Sequence, residues 1–279
     1  MDNTFKEEVA RGERFTFGKN WANFLKHLNE DRIIVAENSL KSMLDGNRFD
    51  NLTFLDAGSG SGLFSLVARR LGFKVFSFDY DPQSVECTRK LKQMFFPDDD
   101  NWTIQQGSVL DTDYIKSLGK FDVVYSWGVL HHTGNMQLAL DNIDIPVKNN
   151  SKLFIALYND QGYKSRFWFK VKKTYNSGTI GRWFIKSIFT PFYYIHYLII
   201  DLIAFKNPLK RYAEYKKDRG MVLMTDAIDW LGGYPFEVAS PKLVFDLFKG
   251  KGYSLDKIST VTSLGCNEFV FIKNLRQSQ

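Results

Sequence analysis

Residues 54–64 read FLDAGSGSGLF, an apolar strand that ends on an acid and runs into glycines at 58, 60 and 62. A glycine-rich turn between a buried strand and a helix lets backbone N–H groups approach a ligand closely, because no Cβ intervenes and positive φ carries little steric cost. The dinucleotide fingerprint needs its third glycine three residues after the second. Here that position is Leu63 and the third glycine is Gly62, so the spacing argues against NAD. A second acid, Asp79, closes the apolar run KVFSFD, 21 positions after Gly58, and is placed to accept hydrogen bonds from ribose hydroxyls. An adenosine-containing ligand satisfies both observations. The competing account, a tight strand-to-helix connection and nothing more, explains the glycines but not the second acidic strand end.

Outward from this turn, apolar runs of strand length recur at Leu52–Leu55, Val75–Phe78, Trp102–Ile104, Val123–Tyr125 and Leu153–Leu157. The stretches between most of them can hold helices, which predicts βαβ units and a mostly parallel sheet covered on both faces. Leu63–Leu71 follows the glycine turn as a helix, and Asp81-Pro82 supplies an N-cap with proline at the first helical position before Gln83–Phe95. Pro241–Lys249 makes a final helix with Leu243, Val244, Leu247 and Phe248 at helical spacing, and Tyr253–Thr262 with Glu268–Lys273 makes a terminal hairpin.

At 279 residues the chain holds one large core or two modest ones. Its two cysteines, Cys87 and Cys266, match no metal spacing and suggest no disulfide framework, so a reducing cytoplasm is the expected compartment. MDNTFKEEVARGERF has no apolar core and carries acids, which fits neither a signal nor a transit peptide. The formal charge of +6 is uneven: residues 159–220 hold 13 Lys and Arg against 4 Asp and Glu.

These motifs resemble the class I S-adenosylmethionine-dependent methyltransferases, well over residues 50–158 and more loosely over 240–273. The resemblance implies a doubly wound α/β fold: a mostly parallel, seven-stranded Rossmann-like sheet with an antiparallel terminal hairpin, and S-adenosyl-L-methionine as cofactor. LDAGSGSG is similar to the family's first motif, which gives Asp56, Gly58, Gly60 and Gly62 the methionine end of the cofactor. FDYDP is similar to the second, which sets Asp79 on the ribose and Tyr80 against the adenine. QGSVLD resembles the third, but Ser108 stands where the family commonly has an acid, so adenine recognition falls to backbone and to Ser108 or Val109. FDVVYSWGVLHHTGN closely resembles the fourth, a strand end followed by paired histidines.

Methyl transfer from a sulfonium is an in-line displacement, so the protein must align donor and acceptor, exclude water and remove a proton from a hydroxyl acceptor. His131 and His132 lie just past a central strand, where open α/β sheets bind ligands, and histidine titrates near neutrality. His132 is the first candidate base and His131 the second. Adjacent residues do not face the same way, so one of the pair is left to cap or orient the turn. Trp127 beside them reads equally as pocket wall or core. Asp111, Asp141 and Asp144 are the acids available to join the histidines at a metal, and no recognised ligand spacing connects them, so no metal is expected. Some methyltransferases of sugars and catechols do use magnesium.

The three parts expected are an N-terminal helical cap (1–50), the cofactor-binding domain (51–158 plus 240–279) and a helical aromatic and basic insertion (159–239) that shapes the acceptor site. In FTFGKNWANFLKHL, Phe15, Phe17 and Trp21 precede an amphipathic helix; the family's leading segments often fold over the cofactor, so Phe17 and Trp21 are candidates to cover the sulfonium through cation–π attraction. The patch Trp183–Phe205 contains Lys186, Pro191, His196 and Asp201 and so argues against a transmembrane span, leaving amphipathic helices over the active site, on a partner subunit or against a membrane surface. DWLGGYPFEVASP reads as a structured turn in which Tyr234 and Glu237 could contact an acceptor. The expected function is O-methylation of a small or carrier-linked acceptor, a sugar or glycan precursor first and a quinone-type phenol second. No RNA-binding module is visible, so nucleic acid is not the expected partner. RNA modification and a catalytically silent binding module stand as the alternatives; self-association stays open.

Overall fold

The computed structural model describes residues 2–203 and 230–275. Seven strands form one sheet: β1 (Thr53–Ala57), β2 (Lys74–Asp79), β3 (Trp102–Gln106), β4 (Phe121–Trp127), β5 (Val147–Tyr158), β6 (Tyr253–Ser259) and β7 (Cys266–Lys273). Their order is β3-β2-β1-β4-β5-β7-β6, parallel except for β7, which runs antiparallel to both neighbours. From β1 the chain winds outward through β2 and β3, then returns to β1's other side as β4. That reversal opens a crevice at the carboxyl ends of β1 and β4, where this class of sheet binds ligands.

Helices cover both faces because each inner strand is apolar on both sides. On one face Leu55, Val124, Ile155, Phe269 and Phe271 pack with α6 (Thr112–Ser117), α7 (Met136–Ile143) and α10 (Pro241–Gly250) through Ile115, Leu140, Ile143, Val244 and Phe248. On the other, Phe54, Val75, Val123, Phe154 and Val270 meet α3 (Glu30–Leu44), α4 (Leu63–Arg70) and α5 (Pro82–Phe95) through Ile33, Leu40, Leu66 and Leu91. Asp81 caps α5 by accepting the Gln83 N–H, as its position before Pro82 requires.

The boundaries moved where polar residues obscured a strand. β5 begins six residues before the expected Leu153, because the mostly polar stretch VKNNSK, with Asn149 and Asn150 exposed and Asn150 at φ 56°, lacks the apolar signature. β6 stops at Ser259 rather than Thr262, and β7 starts two residues before Glu268.

Two segments lie outside this sandwich. At the N-terminus α1 (Asp2–Ala10) and α2 (Gly18–Leu25) run across the sheet's carboxyl edge; Trp21 sits inside α2 rather than ahead of it. After β5, α8 (Tyr163–Asn176) and the 25-residue α9 (Thr179–Ile203) pair through Tyr175, Ile185, Trp168 and Phe189. The remainder of the expected insertion through residue 229, including Phe205 of the aromatic patch, lies outside the described residues.

Candidate active site

Beyond Ala57 the chain turns through Gly58, Gly60 and Gly62 with φ of 89°, 55° and 82°. Each missing Cβ serves a different neighbour. At Gly58 a Cβ would stand 2.4 Å from Val129, at Gly60 3.1 Å from the Trp21 indole, and at Gly62 2.8 Å from the Thr88 backbone in α5. Gly58 and Gly60 line a cavity of about 690 Å³, whereas Gly62 does not. At Gly62, where cofactor contact was expected, the missing Cβ instead permits the close approach of α4 to α5.

The turn also differs from an N–H cradle. The Gly58 and Ser59 N–H groups donate to the Phe78 carbonyl at 2.8 and 3.0 Å, Gly60 N–H to Asp79 Oδ2 at 2.9 Å, and Gly62 N–H to the Ser59 carbonyl at 2.8 Å. With these donors satisfied internally, the turn offers bare backbone surface rather than an anion nest. That is the physical reason a pyrophosphate would be poorly served here.

Three carboxylates line the cavity, Asp56, Asp79 and Asp81, and the first two sit at strand ends. Asp56, 2% exposed, accepts the Ser65 hydroxyl at 2.5 Å, and burial pushes its carboxyl up to about 7. Asp79 accepts N–H groups from Gly60 and Asp81, yet burial still raises it to about 6. Neither joins an ion pair with a described residue. Tyr80, Ser108 and Val109 also line the cavity, Tyr80 with the Arg14 guanidinium 4.8 Å from its ring centre.

The paired histidines separate. They occupy a 3₁₀ turn, Leu130–His132, with ring centres 4.5 Å apart. His131 is fully buried and does not reach the cavity; its Nδ1 accepts the Tyr158 N–H at 3.3 Å and burial holds its pKa well below 6.5. The second candidate base is thus enclosed in the core, with both histidine rings packed on Tyr158. His132 lines the cavity, with Nδ1 2.5 Å from the Pro235 carbonyl oxygen. A carbonyl only accepts, so Nδ1 carries the hydrogen and Nε2 keeps a lone pair. Burial lowers this ring's pKa to about 3, against the raising effect of that hydrogen bond.

Phe17 and Trp21 line the cavity from the N-terminal segment, Phe17 5.1 Å from the His132 ring. Trp127 is a wall as well, its indole donating to Glu268 at 2.7 Å. Tyr234 and Glu237 are not: Glu237 accepts the Met136 N–H at the start of α7, and its own N–H bonds the His131 carbonyl, so this stretch braces the histidine turn. The acids considered for a metal are engaged elsewhere, with Asp111 capping α6, Asp141 paired with Lys251 and Asp144 with Lys273. No cluster of three ligating side chains forms among the described residues.

Sequence reasoning missed three participants. Arg14 pairs with Glu8 at 2.7 Å and donates to the carbonyls of His132 and Thr133 at 3.1 and 3.2 Å, tying the N-terminal segment to the histidine turn. Asp81 accepts the Gly18 N–H at 2.8 Å and anchors α2. Tyr158 lines the cavity at the end of β5, edge-on to His132 at 5.4 Å. Its position at a parallel strand's carboxyl end was the available signal; no local pattern marked Arg14.

Residues 48–192 match the family model described as a methyltransferase domain. The chain is 26% identical over 139 residues to the ubiquinone biosynthesis O-methyltransferase of Pelagibacter ubique, a match covering 48% of this chain and 55% of that protein; it thus spans about half the length of the curated relative. Among solved structures, it resembles the magnesium protoporphyrin IX methyltransferase of Synechocystis PCC 6803 with bound S-adenosylhomocysteine (TM-score 0.53, 10% identity, 87% and 84% of the two chains). An O-methyltransferase family protein from Burkholderia thailandensis is similar too (TM-score 0.53, 11% identity, 89% and 57%). At these identities the likeness is one of fold.

Proposed function

Starting from the fact that the chain belongs to the methyltransferase domain family, we propose that it moves a methyl group from S-adenosylmethionine to a hydroxyl on an apolar, ring-bearing acceptor, with His132 receiving the proton. The observation that carries this reading is the pairing, in one cavity, of two buried carboxylates, Asp56 and Asp79, neither in an ion pair with a described residue, with an imidazole whose Nε2 lone pair is unprotonated.

The residues fit the cofactor. Asp79 engages each oxygen with one N–H donor and retains lone pairs for ribose hydroxyls. Asp56, held up to about 7 by burial, ionises fully once an ammonium group lies beside it, which suits the amino-acid end. Gly58 and Gly60 give backbone surface beneath, Tyr80, Ser108 and Val109 flank the base, and Phe17 and Trp21 supply ring faces for a positive sulfur. Bound there, S-adenosylmethionine supplies an electrophilic methyl carbon.

His132 then positions the acceptor hydroxyl by accepting its hydrogen through Nε2. A pKa of about 3 makes the ring a weak base, but a hydroxyl oxygen that is gaining a carbon substituent becomes strongly acidic, so a weak base suffices. The walls beside His132 are rings, Phe17, Tyr158 and Trp230. A sugar's hydroxyls demand paired partners when buried, so a phenolic or quinone-like ring ranks ahead of a sugar precursor. The similarity to the ubiquinone biosynthesis enzyme supports the same ordering.

Titration calorimetry with S-adenosylhomocysteine tests the first half: no binding at millimolar ligand leaves only a silent binding module. Incubation with isotopically labelled S-adenosylmethionine and parallel panels of phenols, nucleotide sugars and RNA tests the second. Label in an aryl ether is the expected product, and label confined to sugar or RNA overturns the acceptor assignment.

A further inference from the structure

The helical pair α8–α9 carries a surface that the cavity does not explain. Twelve large apolar side chains of α9 are exposed, among them Ile180 at 86%, Trp183 at 71% and Ile203 at 73%. On α8, Tyr163, Phe167 and Phe169 are exposed as well, interleaved with Lys164, Arg166, Lys170 and Lys173. Residues 163–203 contain seven Lys and Arg against one acid; of these Lys172 and the acid, Asp201, are buried, which leaves six basic residues and no acid toward the surface. An apolar patch of this extent marks an interaction site rather than ordinary surface.

The charge decides between occupants. A symmetric pairing with a second copy sets like-charged basic faces against each other, which is unfavourable. No helix among the described residues is long and apolar enough to cross a membrane. Exposed Trp and Tyr, aliphatic side chains and adjacent Lys and Arg suit a helix lying in the headgroup region of an anionic bilayer, where each basic residue near the surface adds attraction to the lipid phosphates.

This surface is joined to the active site by a chain of tilted and edge-to-face ring contacts. Phe189 of α9 lies 5.4 Å from Trp168 of α8, Trp168 5.3 Å from Trp230, Trp230 5.8 Å from Tyr158, and Tyr158 5.4 Å from His132. Trp230 and Tyr158 are cavity walls. We propose that α8 and α9 dock on an anionic lipid surface, holding the cavity at the membrane; on the methyl-transfer reading above, the acceptor is then a ring-bearing molecule dissolved in that bilayer.

Flotation of the full chain with vesicles of phosphatidylcholine alone, or with roughly a third phosphatidylglycerol, tests this. The expected result is at least about tenfold preference for the anionic vesicles, weakened by salt. Trp183→Ser with Ile195→Ser abolishes flotation, and Lys164→Glu with Lys170→Glu removes the anionic preference while leaving the circular dichroism spectrum and melting temperature unchanged. Absence of flotation at low salt overturns the proposal. So does a salt-resistant dimer in sedimentation that the Trp183 and Ile195 substitutions dissociate, since a second copy then covers the face. S-adenosylhomocysteine binding is measured on the same protein: its loss with flotation intact counts against methyl transfer alone, and its retention without flotation counts against docking alone.

Discussion

The carbonyl of Pro235 lies 2.5 Å from Nδ1 of His132, so a residue 103 positions downstream decides which nitrogen of the ring meets the cavity. With Nδ1–H spent on that carbonyl, Nε2 is the nitrogen left to accept a hydrogen from a substrate.

Replacing His132 by Ala should lower kcat by roughly 10²–10⁴. Affinity for S-adenosylhomocysteine should change little, since the ring's part is with the acceptor. Turnover equal to that of the unmodified protein would remove His132 from proton transfer.

Cofactor affinity should depend on Asp79. Burial raises its carboxyl to about 6, so below that pH the free protein increasingly holds the protonated form, a poorer acceptor for ribose hydroxyls. The dissociation constant for S-adenosylhomocysteine should rise as pH falls through 6, and Asp79→Asn should remove its share of that rise while leaving the part set by Asp56 protonating near 7. His132, held near 3, should add no ionisation between pH 5 and 8. A limb at 6.5 that vanishes only in a His132 variant would contradict this.

Stability should show opposing pH effects from histidines and acids. His131 and His132 titrate below their ordinary 6.5 in the fold, so their contribution is present above 6.5 and lost as pH falls. Asp56 is raised to about 7 from 3.8, so its contribution is present at low pH and lost as pH rises through that window. Asp56→Asn removes the second effect alone. Its unfolding free energy should therefore fall more steeply on acidification from pH 6.5 to 5 than that of the unmodified chain, by up to about 1.4 kcal/mol per pH unit. Parallel curves from urea titrations would refute the assignment.

Arg14→Ala should loosen the N-terminal segment without unfolding the sheet. It loses the Glu8 ion pair, two carbonyl contacts to the histidine turn and the approach to Tyr80. Hydrogen exchange should quicken in α1 and α2 and leave β1, β4 and β5 protected, with KM for the cofactor rising more than kcat falls. Uniformly faster exchange would mean that Arg14 supports the whole fold instead.

Much of the architecture was legible because its signals are local. The runs around Phe54, Val75, Val123 and Leu153 are apolar on both faces, which only a covered parallel sheet requires, and Asp81-Pro82 announces α5 by itself. β5 resisted where its first residues are mostly polar, as VKNNSK carries no apolar alternation to read even though Val147 and Ser151 are buried. Asp56, Asp79, Gly58 and Gly60, which line the cavity, were legible because they sit at or just past strand ends. Arg14 was not, since an arginine among charged neighbours looks the same whether it is solvated or clamps two distant carbonyls.

From sequence alone came the family, the parallel sheet with its antiparallel end and the cavity's position, because strand periodicity and the βα turn are written in consecutive residues. Only the tertiary structure separated Gly62 from Gly58 and Gly60, engaged the N–H groups of Gly58, Ser59, Gly60 and Gly62 internally, and set His131 in the core and His132 on the cavity wall. Each of these outcomes depends on a partner far along the chain, Thr88, Phe78, Tyr158 or Pro235, and such contacts exist only once the chain has folded.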